Sequence, residues 1–99
     1  MGEEYIKKIY FIEETQNIEG SYIEVKTLFV YEDKEKAFLT FQNLSKKRTP
    51  FFGLILSEYK IKASESYFYQ LLKRWAHLPA DFYRTMTILN YQTLAEIKM

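Results

Sequence analysis

The sequence predicts an α+β fold: a small three- or four-stranded sheet in the order 2-1-3, with one covering helix and a C-terminal helical hairpin. Apolar residues alternate with polar ones before residue 32, and after it they follow a helical period of about 3.6. The chain has 99 residues, of which 47% are hydrophobic and 18% aromatic. This apolar content is sufficient for the core of a single domain over residues 1–99.

The first strand is predicted from Tyr5 to Glu14. Its centre, Ile9 to Ile12, is apolar at consecutive positions, which is typical of a strand that is covered on both faces. A turn-rich segment follows at residues 17–21, and residues 23–31 then alternate as a second strand. We expect these two strands to pair antiparallel.

A helix is predicted from Asp33, which can cap it, to the basic run that ends at Arg48. Its apolar face includes Phe41, and Pro50 prevents its continuation. This helix should cover one face of the sheet.

A third strand is predicted over residues 51–62, where Gly53 indicates a bulge or a close approach of the backbone. Because a helix connects the second and third strands, these two strands should run parallel. The third strand can then pair with the free edge of the first strand. This order, 2-1-3, explains why the centre of the first strand is apolar on both faces.

The C-terminal third of the chain permits two interpretations. A helix is predicted from Ser64 to Trp75, and apolar spacing after Pro79 favours a second helix that ends near Ile97. Together they would form a helical hairpin. The threonines and other weak helix formers of residues 84–94 favour an additional strand instead.

Parts of residues 8–62 resemble small bacterial and phage proteins of uncharacterised function that share a ββαβ layout. The likeness lies in IYFIEE at Ile9 to Glu14, in VYEDKEKA at Val30 to Ala37 and in SEYKI at Ser57 to Ile61. The resemblance implies a phage or mobile-element setting rather than any activity.

The residue pattern predicts that the protein is not an enzyme and binds no cofactor or metal. Neighbouring carboxylates such as Glu13 and Glu14 would point to opposite faces of a strand, so they do not form a catalytic pair. His77 is the only histidine and there is no cysteine. The three glycines are too widely spaced for a phosphate-binding loop.

Charge and aromatic residues instead indicate a binding surface. Residues 1–35 hold four basic and nine acidic side chains, whereas residues 36–62 hold six basic and one acidic. Nine tyrosines are difficult to satisfy inside one domain, so several should lie at the surface, where tyrosine favours protein contacts. The candidate partner-binding residues are Tyr22, Phe29, Tyr31, Lys46, Lys47, Arg48, Lys73, Arg74 and Trp75.

The leading hypothesis is a protein-binding module, a phage or mobile-element product that binds and modulates a host or defence protein. The alternative is a nucleic-acid-binding accessory protein, because lysines and arginines lie among aromatic residues. A homodimer is also expected, since the second strand after Lys26 lacks the charge or proline that blunts an exposed edge. A second copy, or a strand from the C-terminal segment, would cover that edge.

A cytoplasmic location without a membrane segment is the remaining expectation. Charged residues interrupt the apolar positions of the first thirty residues, which neither a signal peptide nor a membrane span would allow. The absence of cysteine suggests a reducing compartment.

Overall fold

The computed structural model describes residues 3–47 and 52–98, and for residues 17, 18, 21–25, 80 and 84 it describes the backbone alone. Four strands and two α-helices form the fold, and two short 3₁₀ segments connect the second helix to the last strand. The elements in chain order are β1 (Glu4–Ile18), β2 (Ser21–Tyr31), α1 (Lys34–Lys47), β3 (Gly53–Ser64), α2 (Glu65–Arg74), the 3₁₀ segments Trp75–His77 and Ala80–Thr85, and β4 (Thr87–Ile97).

The sheet has the strand order β2-β1-β3-β4, and every neighbouring pair is antiparallel. Because β1 is antiparallel to both of its neighbours, β2 and β3 run parallel, with α1 in the connection between them. The predicted order 2-1-3 and the central place of the first strand are therefore confirmed. The residues at the centre of β1 are at most 5% exposed, as their continuous apolar character requires.

One face of the sheet is covered by α1. The helix begins where Asp33 accepts hydrogen bonds from the backbone N–H groups of Glu35 and Lys36 at 2.9 and 3.3 Å, which confirms the predicted cap. Ala37 and Phe41 are buried against the sheet. The core on this face consists of Tyr10, Ile12, Ala37, Phe41, Leu54 and Leu56.

The opposite face is covered by α2 and the segments that follow it. Ser64 caps α2, since its side chain accepts a hydrogen bond from the backbone N–H of Tyr67 at 3.1 Å. The core here consists of Ile9, Phe11, Val30, Ile61, Ala63, Phe68 and Leu71. Two cores therefore share the central sheet, and alternate residues of β1 contribute to each of them.

The predicted C-terminal helical hairpin is wrong in its second half. Pro79 precedes only a 3₁₀ segment, and Thr87–Ile97 forms the strand β4 along the free edge of β3. The alternative of an additional strand around residues 84–94 is therefore correct. Residues such as Thr87, Ile88 and Thr93 favour extended backbone, and the open edge of β3 supplies the hydrogen bonds that a helix would otherwise provide.

Gly53 begins β3, slightly later than the predicted start at residue 51, which lies outside the described residues. A Cβ atom at Gly53 would come within 2.5 Å of the Ile97 carbonyl oxygen and 2.6 Å of the Thr15 hydroxyl. The predicted close approach of the backbone at this glycine is therefore confirmed. It brings the ends of β1, β3 and β4 together.

Candidate functional site

The outer edge of β2 is open. Within the part of the chain that the structure describes, β2 pairs with β1 alone, and β4 lies at the other end of the sheet beside β3. The C-terminal strand therefore does not cover the β2 edge, although the sequence permits that arrangement. Alternate backbone N–H and C=O groups of an edge strand face outward and can pair with another extended segment.

Two adjoining pockets follow this edge, and we call them together the edge groove. The first, with a volume of about 510 Å³, has walls from Leu44 of α1 and Trp75 of the first 3₁₀ segment. The second, of about 350 Å³, continues past Tyr31 toward Lys73. Both pockets share Phe29 and Trp75. Residues from both faces of the sheet therefore flank the open strand.

Trp75 reaches the edge because α2 gives way to a 3₁₀ segment at this residue. Its ring centroid lies 6.0 Å from that of Phe29 at an angle of 52°. The Trp75 carbonyl oxygen accepts hydrogen bonds from the Tyr83 hydroxyl at 3.3 Å and from the Leu78 backbone N–H at 3.5 Å. The chain after α2 thus fixes the backbone that presents the indole.

Phe29 and Tyr31 form the floor of the edge groove. Their rings are stacked, with centroids 5.8 Å apart and planes inclined by only 6°. Thr40 of α1 donates a hydrogen bond to the Tyr31 hydroxyl at 3.1 Å, and the Lys36 ammonium lies 5.4 Å from the Tyr31 ring centroid. These contacts hold the aromatic floor in place before any partner binds, which reduces the entropy lost on binding.

The acidic residues at the Tyr31 end are already occupied within the chain. Glu32 forms an ion pair with Lys7 at 3.3 Å. Asp33 is engaged in capping α1. Lys26 and Lys73, in contrast, are exposed lining residues with no acidic partner within 4.0 Å among the described residues. Lys26 is the one charged residue in the lining of the first pocket. In the second pocket Lys36 and Lys73 lie with Glu32 and Asp33, and Lys7 pairs with Glu32 from outside the lining, so the groove as a whole carries a small excess of positive charge.

The structure brings together four of the nine predicted site residues: Phe29, Tyr31, Lys73 and Trp75. Lys47 lies next to them, in a smaller pocket that shares Leu28 and Leu44 with the edge groove.

The remaining predicted residues do not join this group. Lys46 and Arg74 are exposed but line none of the pockets along the β2 edge. The side chain of Tyr22 and all of Arg48 lie outside the described residues. Of the basic residues that the structure describes at the end of α1, Lys47 lines the pocket beside the groove and Lys46 lines none of these pockets.

Sequence reasoning missed the apolar walls that turn the edge into a groove. Leu28 and Leu44 are both partly buried and both line the first pocket. The apolar spacing of α1 indicates only that Leu44 lies on the same helical face as Phe41. One signal in the sequence could have found Leu44. A helix that comes immediately after an edge strand packs beside that strand, and the last apolar residues of the helix then lie near the open edge.

A buried carboxylate was also missed. Glu58 of β3 is only 6% exposed, and its two carboxylate oxygens accept hydrogen bonds from Tyr10 and Gln92, each at 2.8 Å. Tyr10 and Gln92 are its register partners on β1 and β4. The network therefore connects three adjacent strands.

The two ionisable groups of this network have shifted pKa values. The hydrogen bond from Tyr10 lowers the pKa of Glu58, whereas burial raises it. The hydrogen bond from Gln92 and the positive charges of Lys8 and Lys34 also lower the pKa of Glu58. Burial raises the pKa of Tyr10 to about 12, reinforced by the hydrogen bond to Glu58. Glu58 is thus held in its ionised form, with both carboxylate oxygens hydrogen-bonded within the sheet.

The described residues contain no group of histidine and acidic side chains that would hold a metal ion. His77 is exposed at the end of the first 3₁₀ segment. In the same part of the chain, neither helix has the length and apolar character of a membrane span.

Comparison of the chain with protein-family models, with curated proteins and with solved structures finds no match. The edge groove is therefore interpreted from its own geometry and chemistry.

Proposed function

We propose that this chain is a non-enzymatic protein-binding module that accepts an extended segment of another protein along the open edge of β2. The observation that carries the proposal is the edge groove itself, in which the open edge of β2 lies between Leu44 and Trp75. Added strands gain affinity from backbone hydrogen bonds and specificity from pockets that accept alternate side chains.

The composition of the groove supports this proposal. Tryptophan and tyrosine are the residues in which binding energy concentrates at protein interfaces, especially in pockets that exclude water. Here Trp75 and Tyr31 flank Phe29, and intrachain contacts fix all three rings. The resemblance to small bacterial and phage proteins suggests a host or defence protein as the partner class.

Tryptophan fluorescence can test the proposal, because Trp75 is the only tryptophan in the chain. Its fluorescence should change when an extended peptide or partner protein enters the edge groove, and the backbone amides of residues 27–31 should become protected from hydrogen exchange. Lys73→Glu and Trp75→Ala should weaken binding, and protection of the β2 amides compares the variants because Trp75→Ala has no tryptophan. Leu39→Ala, at a leucine of α1 that is 62% exposed, is the matched control and should bind normally. Partner binding that is equal in all three variants would refute the proposal.

Binding of nucleic acid is the second candidate function. Lys26, Lys47 and Lys73 lie near an exposed aromatic surface, a combination that also suits single strands with stacked bases. A gel shift on mixed DNA and RNA, together with a pull-down from a bacterial lysate, separates the two functions. A shift with steep salt dependence and no retained protein would favour the nucleic-acid function.

A further inference from the structure

The edge groove combines an apolar interior with a basic rim. Its first pocket is lined by apolar groups of Leu28, Phe29, Leu44 and Trp75, and Lys26 is the one charged residue that the structure places in its lining. A space of about 510 Å³ between these walls is large enough for a bulky apolar side chain.

The rim charge follows from the described residues. The groove is lined by Lys26, Lys36 and Lys73 and by the acidic residues Glu32 and Asp33. Lys47 and Glu14, the register partner of Lys26 on β1, lie in the neighbouring pocket and balance each other. Glu32 is paired with Lys7 and so adds no free negative charge. The groove lining therefore has one more lysine than it has acidic residues, and the pairing of Glu32 with Lys7 increases this excess of positive charge, which disfavours a segment with basic flanks.

We infer that the edge groove selects an extended protein segment in which a large apolar residue is flanked by acidic residues. This inference rests on the proposed function and adds the chemistry of the partner to it. The apolar residue would occupy the space between Leu44 and Trp75, and the flanking carboxylates would face Lys26 and Lys73. A second copy of this chain fits poorly through its other edge, because β4 has a single acidic residue, Glu96, near one end and so cannot place acidic residues on both sides of a large apolar residue.

The test uses the full chain and synthetic peptides, with Trp75 emission as the signal. One peptide has phenylalanine between valines with glutamate on both sides, a second has lysine in place of glutamate, and a third has alanine in place of phenylalanine. The first should bind about tenfold more tightly than the second at low salt, since two exposed ion pairs are gained. That preference should decrease as salt is added.

A charge exchange makes the test specific to the rim. Lys26→Glu combined with Lys73→Glu should reverse the preference, so that the lysine-flanked peptide binds more tightly. Lys62→Glu, at an exposed lysine of β3 that lines none of the groove pockets, is the matched control and should keep the original preference. Thermal unfolding of each variant verifies that it is folded.

The outcomes separate this inference from the proposed function. Equal binding of the glutamate and lysine peptides would overturn the inference and leave strand addition intact. If no extended peptide changes Trp75 emission or protects the β2 amides, the proposed function fails as well. Tighter binding of a single-stranded oligonucleotide than of the glutamate peptide would overturn both in favour of nucleic acid.

Discussion

Replacing Tyr10 with phenylalanine removes one hydroxyl from the network that connects β1, β3 and β4. That hydroxyl donates to Glu58 at 2.8 Å, and both residues are at most 6% exposed, so water cannot replace the lost hydrogen bond without rearrangement. A hydrogen bond to a charged group contributes about 1.5–3 kcal/mol. Tyr10→Phe should therefore lower the free energy of unfolding by about 2 kcal/mol, which corresponds to a fall in Tm of roughly 8 to 16 °C.

The matched control is Tyr69→Phe, because Tyr69 is 61% exposed and its ring has little contact with the core. This substitution should change the free energy of unfolding by less than about 0.5 kcal/mol. Urea unfolding, followed by circular dichroism, measures both variants. Equal stability of the two variants at neutral pH would refute the assignment of Glu58 as a buried, ionised acceptor.

The pH dependence provides a second signature of the same network. The pKa of Glu58 is lower in the folded chain than in the unfolded chain, so its contribution to stability is present above the unfolded pKa and is lost as the pH falls through the folded value. The difference between the wild-type chain and Tyr10→Phe should therefore be largest near neutral pH and decrease below about pH 4. A difference that stays constant down to pH 2 to 3, roughly the lower limit of carboxyl titration, would contradict the assignment.

Three further predictions concern packing and assembly. Phe41→Ala should destabilise the fold by about 3–5 kcal/mol, whereas Leu39→Ala on the exposed face of α1 should cost less than about 1 kcal/mol; denaturant unfolding compares them. Gly53→Ala should lower Tm because its Cβ would meet the Ile97 carbonyl oxygen, and unchanged Tm would show that the strand ends separate freely. We expect the β4 edges of two copies to pair with each other, away from the edge groove, and Leu89→Lys, at a leucine that is 47% exposed, should abolish this self-association. Sedimentation at increasing concentration measures it, and a wild-type chain that remains monomeric throughout would refute it.

Local patterns determined the first two thirds of the fold. The capping residue Asp33 and the proline at residue 50 predict the limits of α1 from the sequence through rules that act within a few residues. The apolar centre of β1 predicts a neighbouring strand on each side. The strand order followed from these elements together. Residues 80–97 are different, because their apolar spacing fits a helix while their threonines fit a strand. Pairing with β3, which lies far away in sequence, decides between the two.

The candidate site was also predicted only in part. Aromatic residues on an edge strand can be identified from the sequence, as Phe29 and Tyr31 were. The groove could not be predicted from the edge strand alone, because Trp75 reaches the edge only where α2 ends and a 3₁₀ segment redirects the chain. Glu58 was missed for a related reason: its burial depends on Tyr10 and Gln92, which belong to other strands.

The strand order also determines the sequence of events when this chain is synthesised and folds. β1 can pair with β2 as soon as a short turn is made, but its pairing with β3 joins Thr15 to Gly53 and Glu4 to Ser64. The centre of β1 is apolar on both faces. The ribosome adds about 5–20 residues per second, so β1 remains without its second neighbour for seconds while the residues up to β3 are synthesised. During that interval the unpaired side of β1 is exposed to aggregation. Such non-local pairing favours slow folding. Chaperones that bind nascent chains would therefore act first on the β1–β2 hairpin.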